Sequence, residues 1–141
     1  MTSVDFVSEQ ISFECEKQAA LSEWIADVCS KEKKQLGLVT YIFCSDEYLL
    51  NVNKQYLNHD YYTDVITFDY SEDDILSGDI FISIDRVKDN AQVADIQFVD
   101  ELHRIMIHGV LHLAGYHDKK PDEKAQMTHL EDIYLSLRSF K

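Results

Sequence analysis

The stretch His108-Gly-Val-Leu-His112-Leu-Ala-Gly115-Tyr-His117-Asp118 constrains this 141-residue chain more than any other. Residues four apart on a helix share a face, with Cβ atoms about 5–6 Å apart. The imidazoles of His108 and His112 can therefore close on one ion, as the paired histidines of zinc-hydrolase helices do. Gly115 is of the residue type that most easily takes the left-handed conformation ending a helix. A chain turning back there can deliver His117 or Asp118 as a third ligand. Three protein ligands leave the fourth position of a tetrahedral zinc to water, the pattern of catalytic sites. Gly109 stands where H-E-x-x-H enzymes carry their general base. The plain alternative is that two histidines on an apolar helix are ordinary core or surface residues.

The same stretch, H-G-x-L-H-L-x-G-Y followed by a metal ligand, resembles the signature of the YbeY family, metal-dependent endoribonucleases of bacterial rRNA maturation. Thr63-Asp64-Val65-Ile66-Thr67-Phe68 is similar to the family's T-D-V-L-S-F, and Gly78-Asp79-Ile80-Phe81-Ile82-Ser83 to its G-D-I-x-I-S. Leu50 to Tyr56 resembles the family's L-N turn that ends on an aromatic, so the resemblance spans about residues 40 to 118. It implies a metal-dependent, single-strand-specific endoribonuclease that acts on rRNA precursor, with the ribosome or a ribosomal protein as partner; the two helical histidines and a downstream ligand predict one Zn²⁺ per chain. By register the family's third ligand, ten residues after the first histidine, is Asp118 here, with His117 as the competitor. The family has arginine after the aromatic where this chain has Leu57, and proline before its T-D pair where this chain has Tyr62.

Length fits one domain, residues 1–141, with 45% hydrophobic and 28% charged residues. No apolar run approaches the 18 or more residues a membrane helix needs, and the first six residues lack a signal peptide's basic start and apolar core. Cysteines at 15, 29 and 44 form no C-x-x-C pair, which fits a reducing cytoplasm. Neither a membrane nor DNA is expected as a partner. Net charge is −13, from 26 acids against 13 bases. Residues 61–100 hold ten acids and only Arg86 and Lys88 as bases. Such a chain does not grip RNA by bulk electrostatics; a local basic strip or a ribosome that presents the substrate must serve instead. Lys31, Lys33 and Lys34, the densest basic tract, read as a solvated helix end, with an RNA contact as the alternative.

Hydrophobic periodicity places strands at 4–13, 38–44, 64–70 and 79–84, and helices at 17–33, about 46–56, 85–94, 98–114 and from Pro121 onward. Gly37 reads as the stop of the first helix, and residues 71–74 as a hairpin-like connection. In the histidine helix Leu102, Ile105, Met106, Val110 and Leu113 form an apolar face. In the last helix Ala125, Met127, Leu130, Ile133, Tyr134 and Leu137 recur. The expected fold class is α/β (α+β): a small mixed four-stranded sheet packed with about five helices, the metal-binding helix central.

A zinc-bound water has its pKa lowered toward about 7. With glycine at 109, a base must come from elsewhere, or that water reacts without one. Asp64 and Asp79, in the two other matched motifs, are the candidates for catalysis, ligand support or substrate positioning; the alternative is that each satisfies backbone donors at a turn. His59, His103 and His129 carry no spacing argument and read as surface or packing residues. A metallopeptidase-like hydrolase and a non-catalytic ribosome assembly factor with a structural metal are the competing functions.

Overall fold

The computed structural model describes residues 3–140; Met1, Thr2 and Lys141 lie outside them, as does the start of the segment scanned for a signal peptide. In chain order the elements are β1 (Ser3–Ser8), α1 (Gln18–Lys31), β2 (Gln35–Cys44), α2 (Asp46–Leu57), β3 (Val65–Asp69), β4 (Ile75–Ser83), α3 (Ile84–Ala94), α4 (Phe98–Leu113) and α5 (Pro121–Ser136). The sheet runs β1-β2-β4-β3, with β1, β2 and β4 parallel and β3 antiparallel to β4. A mixed sheet of four strands with five helices is thus the architecture.

Pleating sorts the two faces. Val39, Tyr41 and Phe43 of β2 and Leu76, Ile80 and Ile82 of β4 point to one side. There they meet Leu21, Ile25 and Val28 of α1 and Met106, Val110 and Leu113 of α4. The other side is covered by α2, where Cys44, Leu49, Val52 and Ile66 form a smaller cluster with Phe68 and Phe81. Tyr41 donates from its buried hydroxyl to the Met106 carbonyl at 2.9 Å, so the phenol is satisfied inside the larger core. Among the described residues no helix is long and apolar enough to cross a membrane.

Several boundaries differ from the periodicity reading. The first strand ends at Ser8 and not at residue 13, because Gln10 takes a left-handed φ of 59°. Phe13 then turns inward, edge-on to Phe43 at 5.0 Å. Gly37 does not stop α1: Lys33 carries the left-handed φ after that helix, and Gly37 sits inside β2. Gly78 likewise lies within β4, which starts at Ile75. A Cβ at Gly37 would fall 2.3 Å from Ser77 Oγ, and one at Gly78 2.4 Å from the Phe68 carbonyl. Both glycines therefore mark close approach rather than strand ends. Leu50 to Tyr56 lies within α2, as the periodicity expects, so the stretch that resembles the family's turn is helical here. In α5 the inward stripe is Met127, Glu131 and Tyr134, while Ile133 and Leu137 are exposed.

Candidate metal centre

The apolar face of α4 sits unusually close to the sheet, and Gly109 is the reason. A Cβ at Gly109 would lie 2.8 Å from both Cδ1 and Cγ2 of Ile80, a fully buried side chain. Position 109 therefore points into the core, and the face with His108 and His112 is left to turn toward a cavity. A glutamate at 109 would have no cavity to reach.

At the end of α4 the chain reverses through Gly115, whose φ is +105°. The Gly115 and Tyr116 amides donate to the carbonyls of His112 and Leu111, each at 3.0 Å. The turn is tied down by the Tyr116 hydroxyl, which donates to Glu32 Oε1 at 2.6 Å; Tyr134 of α5 donates to the other oxygen of that carboxylate. Held this way, the turn brings Asp118 back over the histidines.

Three donor atoms converge. His108 Nε2 and His112 Nε2 are 2.9 Å apart, and Asp118 Oδ2 lies 3.1 Å from the first and 3.4 Å from the second. Ligands at about 2.0–2.1 Å on a tetrahedron stand about 3.3 Å from one another, close to these edges. The far nitrogens are already committed. His108 Nδ1 donates to Glu131 Oε2 at 2.7 Å, and His112 Nδ1 donates to the Tyr116 carbonyl at 3.0 Å. With both rings neutral, each Nε2 then has its lone pair directed at the point where the carboxylate oxygen also converges, which is a fitting arrangement around a cation. His108, His112 and Asp118 can hold a metal ion; His117 is exposed and stands outside that group.

Glu131 was not singled out by the sequence, yet it is 5% exposed and anchors the site. Its other oxygen accepts from Arg104 Nη1 at 2.8 Å, and Arg104 Nη2 pairs with Asp132 at 2.6 Å. The available signals were an acid on the Met127/Tyr134 stripe of α5 and an arginine four residues before His108. Burial lowers the His108 pKa, but the bond to Glu131 and the charges of Glu131, Asp118 and Asp64 outweigh it, leaving a net rise. Burial and the neighbouring His108 push His112 down, against the pull of Asp118.

A cavity of about 510 Å³ opens over the three donors, lined also by Leu57, His59, Tyr61, Asp64, Thr67 and Lys119. A smaller one of about 290 Å³ shares Asp64, His108 and Asp118 and continues past Arg104 to Lys124 and Thr128. Asp64 therefore faces the site. Burial raises its carboxyl above the ordinary value, partly offset by His108, and Asn90 Nδ2 donates to it at 3.3 Å. Asp79 does not join it. Gly78 and Ile80 face α4, so Asp79 points to the other side of the sheet, where it accepts from the Tyr70 hydroxyl at 3.3 Å. The buried Thr67 Oγ1 has no hydrogen-bond partner among the described residues. Thr67 lines the cavity, but this oxygen is itself closed off from solvent. His59 lines the cavity as well. His103 is a core residue, packed between Trp24 and Phe140, and His129 is exposed.

The sequence model of the family described as endoribonuclease YbeY matches residues 4–138. Among relatives carrying that name, one from Cytophaga hutchinsonii is 50% identical over 139 residues, covering 98% of this chain and 97% of its own. Another from Bacteroides thetaiotaomicron is 48% identical over 136 residues, covering 96% and 99%. The solution structure of a Thermotoga maritima protein superposes with a TM-score of 0.66 at 27% identity, covering 94% of this chain and 87% of that one. With the match spanning nearly every described residue, the chain belongs to the endoribonuclease YbeY family.

Proposed function

We propose that this chain is a metal-dependent, single-strand-specific endoribonuclease acting on rRNA precursors in ribosome biogenesis, in the cytoplasm, with zinc as its ion. The observation that carries the reading is the convergence of His108, His112 and Asp118 on one point at the floor of an open cavity, in a chain of this family. A divalent ion there supplies Lewis-acid polarisation of a phosphodiester and a water acidic enough to attack it. The chain's own residues do the rest. Glu131 and the Tyr116 carbonyl fix the two imidazole planes, so Nε2 of each faces the reaction. Asp64, held by Asn90 and raised by burial, is the residue placed to take a proton or orient a water. Asn90 and burial keep that carboxyl in place on the cavity wall. Asp79 keeps a structural part on the opposite face, bonded to Tyr70.

The acidic surface supports the ribosome, or a ribosomal protein, as the partner that presents the RNA strand. The metallopeptidase alternative loses ground at Gly109, where the family of zinc proteases needs a glutamate and this core has room for no side chain. An assembly factor with a structural metal is disfavoured by the open cavity, since structural zinc sites are closed by a fourth protein ligand. The test is cleavage of a single-stranded RNA by purified protein, with chelator and after zinc is restored, beside the His112→Ala variant. Cutting should be lost with chelator, return with zinc, and be abolished in His112→Ala while the thermal melt persists. Metal-loaded protein that leaves both single-stranded and precursor rRNA intact would return the case to the assembly factor.

A further inference from the structure

We propose that the stacked rings of His59 and Tyr61, on the wall of the cavity above the three donors, are a platform on which an unpaired nucleobase of the substrate stacks. The proposal rests on the endoribonuclease reading for its ligand. The two rings lie 5.1 Å apart at 21°, with the Tyr61 hydroxyl and His59 Nδ1 3.0 Å apart. Tyr61 is 54% exposed, so a ring face is open to solvent beside the site.

This exposure is built, not incidental. Asn53 of α2 is 1% exposed, and its Nδ2 donates to the Tyr61 carbonyl at 2.9 Å. The Asn53 carbonyl accepts the His59 amide at 3.1 Å, and Asn58 turns the chain between them at a left-handed φ of 56°. The buried Asn53 side chain thus fixes the backbone of Tyr61, and the closing turn of α2 fixes that of His59, so both rings spring from a held backbone. Meanwhile the cavity is poor in cations. Among the described residues that line it, Lys119 alone is Lys or Arg, and Leu57 is apolar and 41% exposed; Arg104 and Lys124 border the smaller cavity beyond the donors, where Arg104 is paired with Glu131 and Asp132. A polynucleotide entering here finds few phosphate partners and two parallel rings. Stacking on aromatic faces tolerates any base and is a main source of affinity for single strands. In a duplex the bases stack on one another and cannot reach such a platform. The pair therefore selects single-stranded substrate at the reaction centre, in a chain whose net charge of −13 offers no general attraction.

The test is the dissociation constant of chelated protein, so that the strand stays whole, for a fluorescent single-stranded oligoribonucleotide. The loop is held by Asn53 and not by an ion, so the rings keep their place under chelation. Tyr61→Ala should weaken binding by about tenfold or more, and Tyr61→Phe should restore it to within about threefold. An oligomer of equal length with abasic residues should bind wild type and Tyr61→Ala alike. The proposal is overturned by Tyr61→Ala binding within about twofold of wild type with an unchanged melt. It is also overturned by equal losses on the intact and abasic oligomers, or by no measurable binding of wild type. Cleavage is scored separately with zinc restored: a wild type that binds but does not cut removes the nuclease reading and leaves the platform standing.

Discussion

Glu131 of α5 grips Nδ1 of His108 at 2.7 Å, joining two helices at the back of the candidate metal centre. The same carboxylate accepts from Arg104 at 2.8 Å, so its burial cost is offset by two charge-assisted bonds. This pairing turns Nε2 of His108 toward Asp118 and His112.

Glu131→Ala should weaken zinc binding about 10–100-fold, the usual effect of removing a carboxylate behind a ligand histidine. Glu131→Gln should lose less, because its amide oxygen still accepts from Nδ1 while the charge is gone. Competition titration with a zinc chelator reads both; equal affinity for Ala and wild type would show that His108 needs no such hold.

The third ligand is tested by substitution at neighbouring positions. Asp118→Ala should lower metal affinity by orders of magnitude, and His117→Ala should change it little, since Asp118 Oδ2 lies within 3.4 Å of both Nε2 atoms and His117 is exposed. Asp118→His should retain or tighten zinc binding, imidazole being a stronger zinc donor than carboxylate. Elemental analysis of the three purified variants decides it; loss of metal in His117→Ala alone would reverse the assignment.

Gly109→Ala should destabilise the fold by about 1–3 kcal/mol, despite the ~1 kcal/mol that alanine gains over glycine in a helix. Its Cβ would press 2.8 Å from two atoms of Ile80, which has no space to yield. Ile80→Ala should relieve part of that loss, and a double-mutant cycle by denaturant melts measures the coupling. Additive effects would mean that the helix moves off the sheet at little cost.

The cysteines should stay unreactive in the folded protein. Burial pushes the thiol pKa of Cys15 and Cys29 up to about 11 and of Cys44 up to about 12. A raised folded pKa means the neutral thiol is favoured. Its contribution to stability is complete below the unfolded value near ~8.5 and is lost as pH climbs through 11 to 12. At pH 8 a disulfide reagent should label the native chain slowly and all three thiols on denaturation. Rapid native labelling would show an opening that the packed core does not allow.

What the sequence by itself determined is what near neighbours along the chain control. Leu21, Trp24, Ile25 and Val28 announce α1 because a helix repeats every 3.6 residues, and His108 with His112 announce a two-ligand face for the same reason. Tertiary structure decided which faces meet. Asp64 and Asp79 sit in equally suggestive motifs, yet the pleat of β4 sends Asp79 to the far side of the sheet while Asp64 opens onto the cavity. Glu131 reaches His108 only because α5 packs along α4, and Gly109 reads as a missing base until Ile80 is seen against it. Periodicity is a local property, set by backbone geometry a few residues at a time. Convergence of side chains from α2, α4, α5 and β3 depends on how their faces pack, and that depends on contacts far apart in the chain.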